Sequence, residues 1–416
     1  MGSEMCIRDR IILPVIILFF IIDYRTLFSE EEKIEVKVVE TAPQGSVLDL
    51  DEIDNAIRVW TEAFKDAHKT IDVAAFYMLH YPHYSRGIIV EEIYDNIKKA
   101  SERGVKVRIL LDYWTYTENE ENNYRIIPQT FDKLPNIEVK LIDMTRFTFY
   151  NDSYMHAKYF VIDSIRCFVG SHNWSFGALT DNREVGFWVE SRGICLDILS
   201  IFQKDWGNGF YLEGDEEQGD GEREITWENR AIRPKTKWIS NLPANVKRAS
   251  NSNIEWIYVV ESCPSLLDNP ELPNTEEVIL NLISNADSLI ELETNTFSIR
   301  NYFHSGPGYT VIEEALREAA DDGIKVRIII DDWYYHLAEA TFEWLNSFQN
   351  LEVRSMDIRK AGTNKERGTV HSKILVVDRT KVFLGSSTYS QGQILESRNV
   401  GICLLYTSDA ADELDG

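Results

Sequence analysis

The apolar positions change period along this chain, and the order of the changes repeats. From Asp49 to Lys69, the residues Ile53, Ala56, Ile57, Trp60 and Phe64 fall on one face of a helix. Thr70 to Met78 then alternates as a strand, with Ile71, Val73, Ala75 and Tyr77 on one side. Ile88 to Gly104 returns to helical spacing and closes on Gly104 at the C-cap position. Val105 to Leu111 is a β-rich run ending at Asp112. The second half follows the same order, with a helix over Thr275 to Ala286, a strand over Ser288 to Thr294 and a helix over Val311 to Gly323. Strands alternating with helices predict the α/β class, a mixed β-sheet flanked by helices.

Individual residues repeat as well. Lys98 to Trp114 aligns with Arg317 to Trp333 at an offset of 219, with Gly, Lys-Val-Arg-Ile, Asp and Trp at matching steps. The segment from Met155 to Asp163 recurs 215 positions later as Val370 to Asp378, and both copies read His-x-Lys, then four intervening residues, then Asp. Each runs on into Gly-Ser, at Gly170-Ser171 and Gly385-Ser386. Two copies are too few for a solenoid. They predict two tandem domains, residues 46–212 and 225–402, related by a pseudo-twofold and sharing one site. The acidic, Gly-rich residues 213–224 read as a solvated linker.

Both ends look foreign. Residues 1–10 and 403–416 resemble translated sequencing-adapter read-through and are set aside from the fold. The apolar run 11–22 falls short of the roughly 20 residues that span a bilayer and reads as a clipped signal-anchor, with the polar stretch 23–45 as a stalk. The net charge of −25 argues against a protein that coats nucleic acid, but leaves room for a nuclease with a local basic funnel. The 5 cysteines include no Cys-x-x-Cys pair, so no metal is expected; Cys195 and Cys263 are candidates for a disulfide in an oxidising compartment. Asn151-Asp152-Ser153 is a glycosylation sequon if the domain is lumenal.

His and Lys two apart on an extended strand point to one side. Two such strands meeting would gather two imidazoles and two ammonium groups around one phosphate. One imidazole can attack phosphorus, the other can protonate the leaving oxygen, and Lys158 and Lys373 can neutralise the non-bridging oxygens. No cofactor enters that scheme. Asp112 and Asp331, at strand ends, read as caps rather than catalysts.

These residues resemble the phospholipase D superfamily, whose signature is this duplicated motif followed by Gly-Ser-x-Asn and a later acidic residue. The first copy is complete in His156, Lys158, Asp163, Ser171, Asn173 and Glu184. The second has His371, Lys373, Asp378 and Ser386, with Thr388 at the Asn step and Asn399 at the Glu step. The resemblance implies that His156, Lys158, Asp163, Glu184, His371, Lys373 and Asp378 are catalytic, with His156 backed by Glu184 as nucleophile and His371 as general acid. Ser171, Asn173, Ser386, Thr388 and Asn399 would bind substrate. Further features, including Val39 to Gly45, Phe76-Tyr77 and Cys195-Leu196 with Trp206, are similar to the type II membrane branch, whose members are endolysosomal 5′-to-3′ exonucleases on single-stranded DNA and RNA. That branch implies a single-pass, lumenal protein of the endoplasmic reticulum and endolysosome. A phospholipid hydrolase or transphosphatidylase, and a silent membrane-tethered scaffold, are the alternatives. Tyr302, Phe303, Trp333 and Tyr334 near the second motif read chiefly as core, with base stacking as their other use.

Overall fold

The structure is a computed structural model that describes residues 33–43, 45–81, 87–117, 122–148, 153–212, 243, 245–249, 253–298, 309–361 and 368–407. In the first half, strand β1 (Glu35–Thr41) is followed by helix α1 (Ala56–Lys65), β2 (Thr70–Ala75), α2 (Ile88–Glu102), β3 (Lys106–Asp112) and β4 (Ile137–Ile142). Then come β5 (Tyr159–Ile162), β6 (Arg166–Gly170), β7 (Glu184–Glu190) and helix α3 (Arg192–Asn208). The second half supplies β8 (Ile254–Ser262), α4 (Thr275–Ser284), β9 (Leu289–Thr294), α5 (Val311–Asp321), β10 (Lys325–Asp331), β11 (Leu351–Met356), β12 (Lys373–Val377), β13 (Lys381–Gly385) and β14 (Asn399–Tyr406).

The predicted doubling is present in the strand order. The first sheet runs β1-β7-β6-β5-β2-β3-β4 and the second β8-β14-β13-β12-β9-β10-β11, with short strand pieces added at the edges. Within each, the three strands separated by helices pair in parallel, and the motif strand lies antiparallel beside the first of them. Helix α1 shows why these segments fold as they do. Asn55 caps it by accepting from the Ile57 amide (2.9 Å), and Trp60 and Phe64 carry its apolar face into the core.

The glycine of each Gly-Ser step has a packing role. Gly170 pairs with Gly186 and Gly385 with Gly401 across adjacent strands. A Cβ on Gly186 would lie 2.4 Å from the Phe168 ring, and one on Gly401 2.7 Å from that of Phe383. The glycines are where two aromatic rings lie down on the sheet.

Several expectations need correction. The stretch 23–45 is not all stalk, because Glu35–Thr41 is β1, paired residue for residue with β7. Valines alternating with charged residues disguised a half-covered strand as a polar spacer. The first folded unit therefore begins before residue 46. Nor does the second end at residue 402, since Cys403 to Tyr406 complete β14 against β8, with Cys403 fully buried. Cys195 and Cys263 are both buried and are not joined in a disulfide. Among the described residues no helix is long and apolar enough to cross a membrane. The anchor at 11–22, the linker at 213–224, the sequon at Asn151, and Tyr302 and Phe303 lie outside the described residues.

The motif aspartates prove structural. Asp163 follows the last residue of β5, about 13 Å of strand from its histidine end. Its carboxylate accepts from the amides of His68 (3.0 Å), Lys69 (2.6 Å) and Thr70 (3.0 Å), tying β5 to the start of β2. Asp378 does the same for Asp287 (2.8 Å), Ser288 (2.8 Å) and Leu289 (3.0 Å). Burial pushes both carboxyls up, but these amides outweigh it and hold them below the ordinary range. The assignment of Asp163 and Asp378 to catalysis is therefore withdrawn. Asp163→Ala is expected to lower stability by about 1–3 kcal/mol through orphaned amides, read from the urea midpoint. Turnover per folded molecule should stay at the parent level. Because the folded pKa lies below the unfolded one, the stabilisation is present above the unfolded value and lost as pH falls through the folded value.

Candidate active site

Parallel pairing decides where the chemistry collects. β2, β3 and β4 open their carboxyl ends at one edge of the first sheet, and the antiparallel β5 enters from that edge. His156 and Lys158 sit just before β5, and in the second sheet His371 and Lys373 sit at the start of β12. Asp112 steers the first approach, accepting from the amides of Thr115 (2.9 Å) and Met155 (2.8 Å). Asp331 steers the second through Trp333 (3.2 Å) and Val370 (2.5 Å). Both are braces at strand ends, as the sequence suggests. Burial raises the Asp112 carboxyl to about 7, against the pull of those two amides.

The two halves then cross. The His156 amide donates to the Arg398 carbonyl (3.0 Å), and the His371 and Ser372 amides both donate to the Arg183 carbonyl (2.9 Å each). Each motif segment therefore docks on the segment leading into the other half's last sheet strand. The side chains cross too. Glu184 Oε2 lies 2.8 Å from Nδ1 of His371, and Asn399 Oδ1 lies 3.0 Å from Nδ1 of His156. The expectation that Glu184 backs His156 is overturned: the carboxylate of the first half serves the imidazole of the second.

These contacts fix both tautomers. Burial would push Glu184 up, but His371, His172 and Lys373 override it and hold the carboxyl at about 2. It is therefore an acceptor, and Nδ1 of His371 carries the hydrogen. The Asn399 amide donates from Nδ2 to the Gln393 carbonyl (2.7 Å), which turns Oδ1 toward His156 and sets the same tautomer there. In each ring Nε2 is left as the nitrogen for chemistry. Burial lowers both imidazoles below their usual pKa. For His156 the charges of Lys158 and Lys373 add to this, whereas for His371 the Glu184 carboxylate opposes it.

Both lysines are fully buried, and each ammonium donates to the carbonyl of its own motif histidine. Burial lowers Lys158 well below its usual value and Lys373 to about 7. Two lysines whose charge burial disfavours, and two imidazoles beside the single carboxylate of Glu184, make a site that an entering anion stabilises.

The hydroxyl residues expected to hold substrate are placed differently. Ser171 donates to the Val185 carbonyl (3.2 Å) and Ser386 to Asn399 Oδ1 (2.9 Å), and neither is exposed. They brace the strands and the Asn399 amide, so the assignment of Ser171, Ser386 and Asn399 to substrate binding is corrected. Thr388 is buried against Ser390 (3.2 Å). Asn173 keeps a buried Oδ1 with no hydrogen-bond partner.

Sequence reasoning missed the arginines that precede the two late residues. Arg398 is fully buried and donates to Glu261 on β8 (2.5 Å) and to Asp205 on α3 (2.8 Å). Arg183 bonds Glu40 on β1 in the same way. The signal was available, since Arg stands one step before both Glu184 and Asn399. Glu261, Cys263 and Asp268 form a cluster of possible metal ligands, but the Arg398 guanidinium already supplies a cation to Glu261.

Comparison with known proteins agrees with this architecture. Residues 61–206 and 279–415 match the family described as cardiolipin synthase, PLD-like domain. A 5′-3′ exonuclease PLD3 from Bos taurus is 24% identical over 401 residues, covering 90% of this chain and 76% of the relative. The virion nicking-joining enzyme of vaccinia virus is 23% identical over 376 residues, covering 85% and 79%. A phosphatidylserine synthase from Haemophilus influenzae superposes with a TM-score of 0.63 at 14% identity, covering 93% of this chain and 86% of that one, a likeness of fold.

Proposed function

The chain belongs to the phospholipase D-like family and is a phosphodiesterase, and from that premise we propose that it is a 5′-to-3′ exonuclease on single-stranded DNA and RNA. The observation that carries the proposal is the crossed pair of imidazoles, each held by the other half. The names of the two nuclease relatives support nucleic acid as the substrate.

The partners of the two rings decide their roles. Glu184 favours the imidazolium of His371 against the burial that lowers its pKa, so of the two rings His371 is the proton donor. His156 faces a neutral amide and two ammonium groups, so it stays unprotonated with its Nε2 lone pair free. The roles expected from sequence are retained, but the reason is reversed: the carboxylate-backed ring is the acid–base, as in other carboxylate–imidazole dyads. Nε2 of His156 attacks phosphorus, the bond to the leaving oxygen breaks, and His371 gives that oxygen its proton. Water then attacks the phosphohistidine, His371 takes the water's proton, and the nitrogen–phosphorus bond breaks. Lys158 and Lys373 neutralise the non-bridging oxygens, and bound phosphate raises both ammonium groups back toward full charge.

The test uses a 5′-hydroxyl oligonucleotide at mildly acid pH with chelator present. Stepwise shortening is expected, with His156→Ala inactive and no turnover of phosphatidylcholine. In His371→Ala, a p-nitrophenyl phosphodiester, whose leaving group needs no acid, should label His156 and stall there. Label on His371 in the parent enzyme would reverse the roles, and turnover of the lipid alone would replace the substrate. The apolar run 11–22 supports the further proposal of a type II anchor with a lumenal, endolysosomal catalytic domain; protease protection in sealed microsomes tests it.

A further inference from the structure

The geometry points to a base-stacking subsite in the first half: a wall of Trp114, Tyr154 and Phe76 that receives the base of the 5′-terminal nucleoside. The inference rests on the nuclease reading and specifies which nucleoside is held. Phe76 follows β2, Trp114 follows β3, and Tyr154 lies two residues before His156, so all three reach the edge where the motif enters. Their rings are continuous. Trp114 and Tyr154 centroids are 5.5 Å apart, Tyr154 and Phe76 5.6 Å, and Phe76 and His156 5.1 Å. The row thus runs from the nucleophilic imidazole to an indole that is 45% exposed.

The internal repeat supplies a control. At the steps matching Phe76, Tyr154 and Trp114, the second half has Asn295, Thr369 and Trp333. Trp333 is as exposed as its counterpart, but the row inward is broken: Thr369 donates to Asp331, and Asn295 has no ring. Among the described residues, packing demands common to both halves do not account for this row of rings in the first. Nucleobases stack on such a wall through their π-faces, whereas a choline headgroup would meet it only as a cation. In-line displacement then assigns the occupant. The leaving strand departs on the side of His371, opposite the nucleophile, so a wall that begins at His156 lies clear of it and is open to the nucleoside that stays on phosphorus in the equatorial plane. In an exonuclease acting from the 5′ end, that is the terminal one.

The experiment is a double-mutant cycle between protein and substrate. An oligonucleotide abasic at its first position is compared with the intact one, in the parent and in Trp114→Ala. The parent is expected to lose about tenfold in kcat/KM on the abasic substrate. Trp114→Ala should treat the two alike, Trp114→Phe should restore most of the difference, and Trp333→Ala should keep it. An unchanged preference in Trp114→Ala, or a preference lost in Trp333→Ala, overturns the subsite while leaving the nuclease intact. A parent that shortens neither oligonucleotide overturns the nuclease reading itself. Trp114 is exposed, so its replacement leaves the core packing in place.

Discussion

Glu184→Gln is expected to lower kcat, measured per folded molecule, by about 10²–10⁴-fold, the range spanned by general acid–base catalysis. The glutamine keeps the shape and can still accept from Nδ1 of His371, so the ring stays in place. What disappears is the negative charge that opposes burial and Lys373 at His371. With it gone, the His371 pKa falls further below its ordinary value. The sign of the pH effect follows. Turnover needs His371 protonated in the first step, so activity falls as pH rises through that pKa, and the variant should fall at lower pH than the parent. The same change made at the other ring costs less. Asn399→Ala removes an uncharged acceptor from His156 and should cost roughly tenfold through lost orientation, well below the acid–base range. A pH–rate series on both variants checks this. If Asn399→Ala proved the more damaging, or if Glu184→Gln left the alkaline limb in place, the division of roles would be wrong.

Much of this arrangement was legible in the chain. Offsets of 219 and 215 reveal the duplication, and hydrophobic period places α2 and β3 closely and the start of β2, whose strand ends at Ala75 rather than Met78. The docking of the two halves was not legible. Repeat arithmetic assigns Glu184 to its own motif, and only the crossing at Arg183 and Arg398 shows that its carboxylate meets His371 instead. The remoteness of Asp163 could have been read in advance. Four strand residues between Lys158 and the aspartate carry it to the other end of β5, beyond reach of a phosphate held at His156. β1 was hidden for a different reason. Its charges belong to a strand near the sheet's edge, where alternation is too short to stand out from a polar spacer. The aromatic wall was legible as residues but not as a surface, since Phe76, Trp114 and Tyr154 come from three separate strand ends.

Arg398→Met is expected to destabilise the protein by about 3–5 kcal/mol, the cost of leaving buried charges without their partner. Burial disfavours the charged guanidinium, but Asp205 and Glu261 outweigh it. Removing it leaves two carboxylates on β8 and α3 with no cation, in a site that is fully buried on both sides. Urea unfolding measures the loss. The triple variant Arg398→Met, Asp205→Leu, Glu261→Met should recover most of it, because apolar groups of similar volume replace a buried ion triad at little or no net cost. Activity should not recover in step. Arg398 precedes Asn399 and its carbonyl holds the His156 amide, so the triad sets the register of the nucleophile as well as the strength of the docking. A triple variant as stable as the parent but slower in kcat, with KM unchanged, is the expected signature of positioning. Full recovery of kcat would reduce the triad to a stability element. The pseudo-symmetric pair gives the contrast, since Arg183 is partly exposed beside Glu40 and its loss should cost less than that of Arg398. The two arginines are related by the repeat but not equal, and the difference falls on the side that carries the nucleophile.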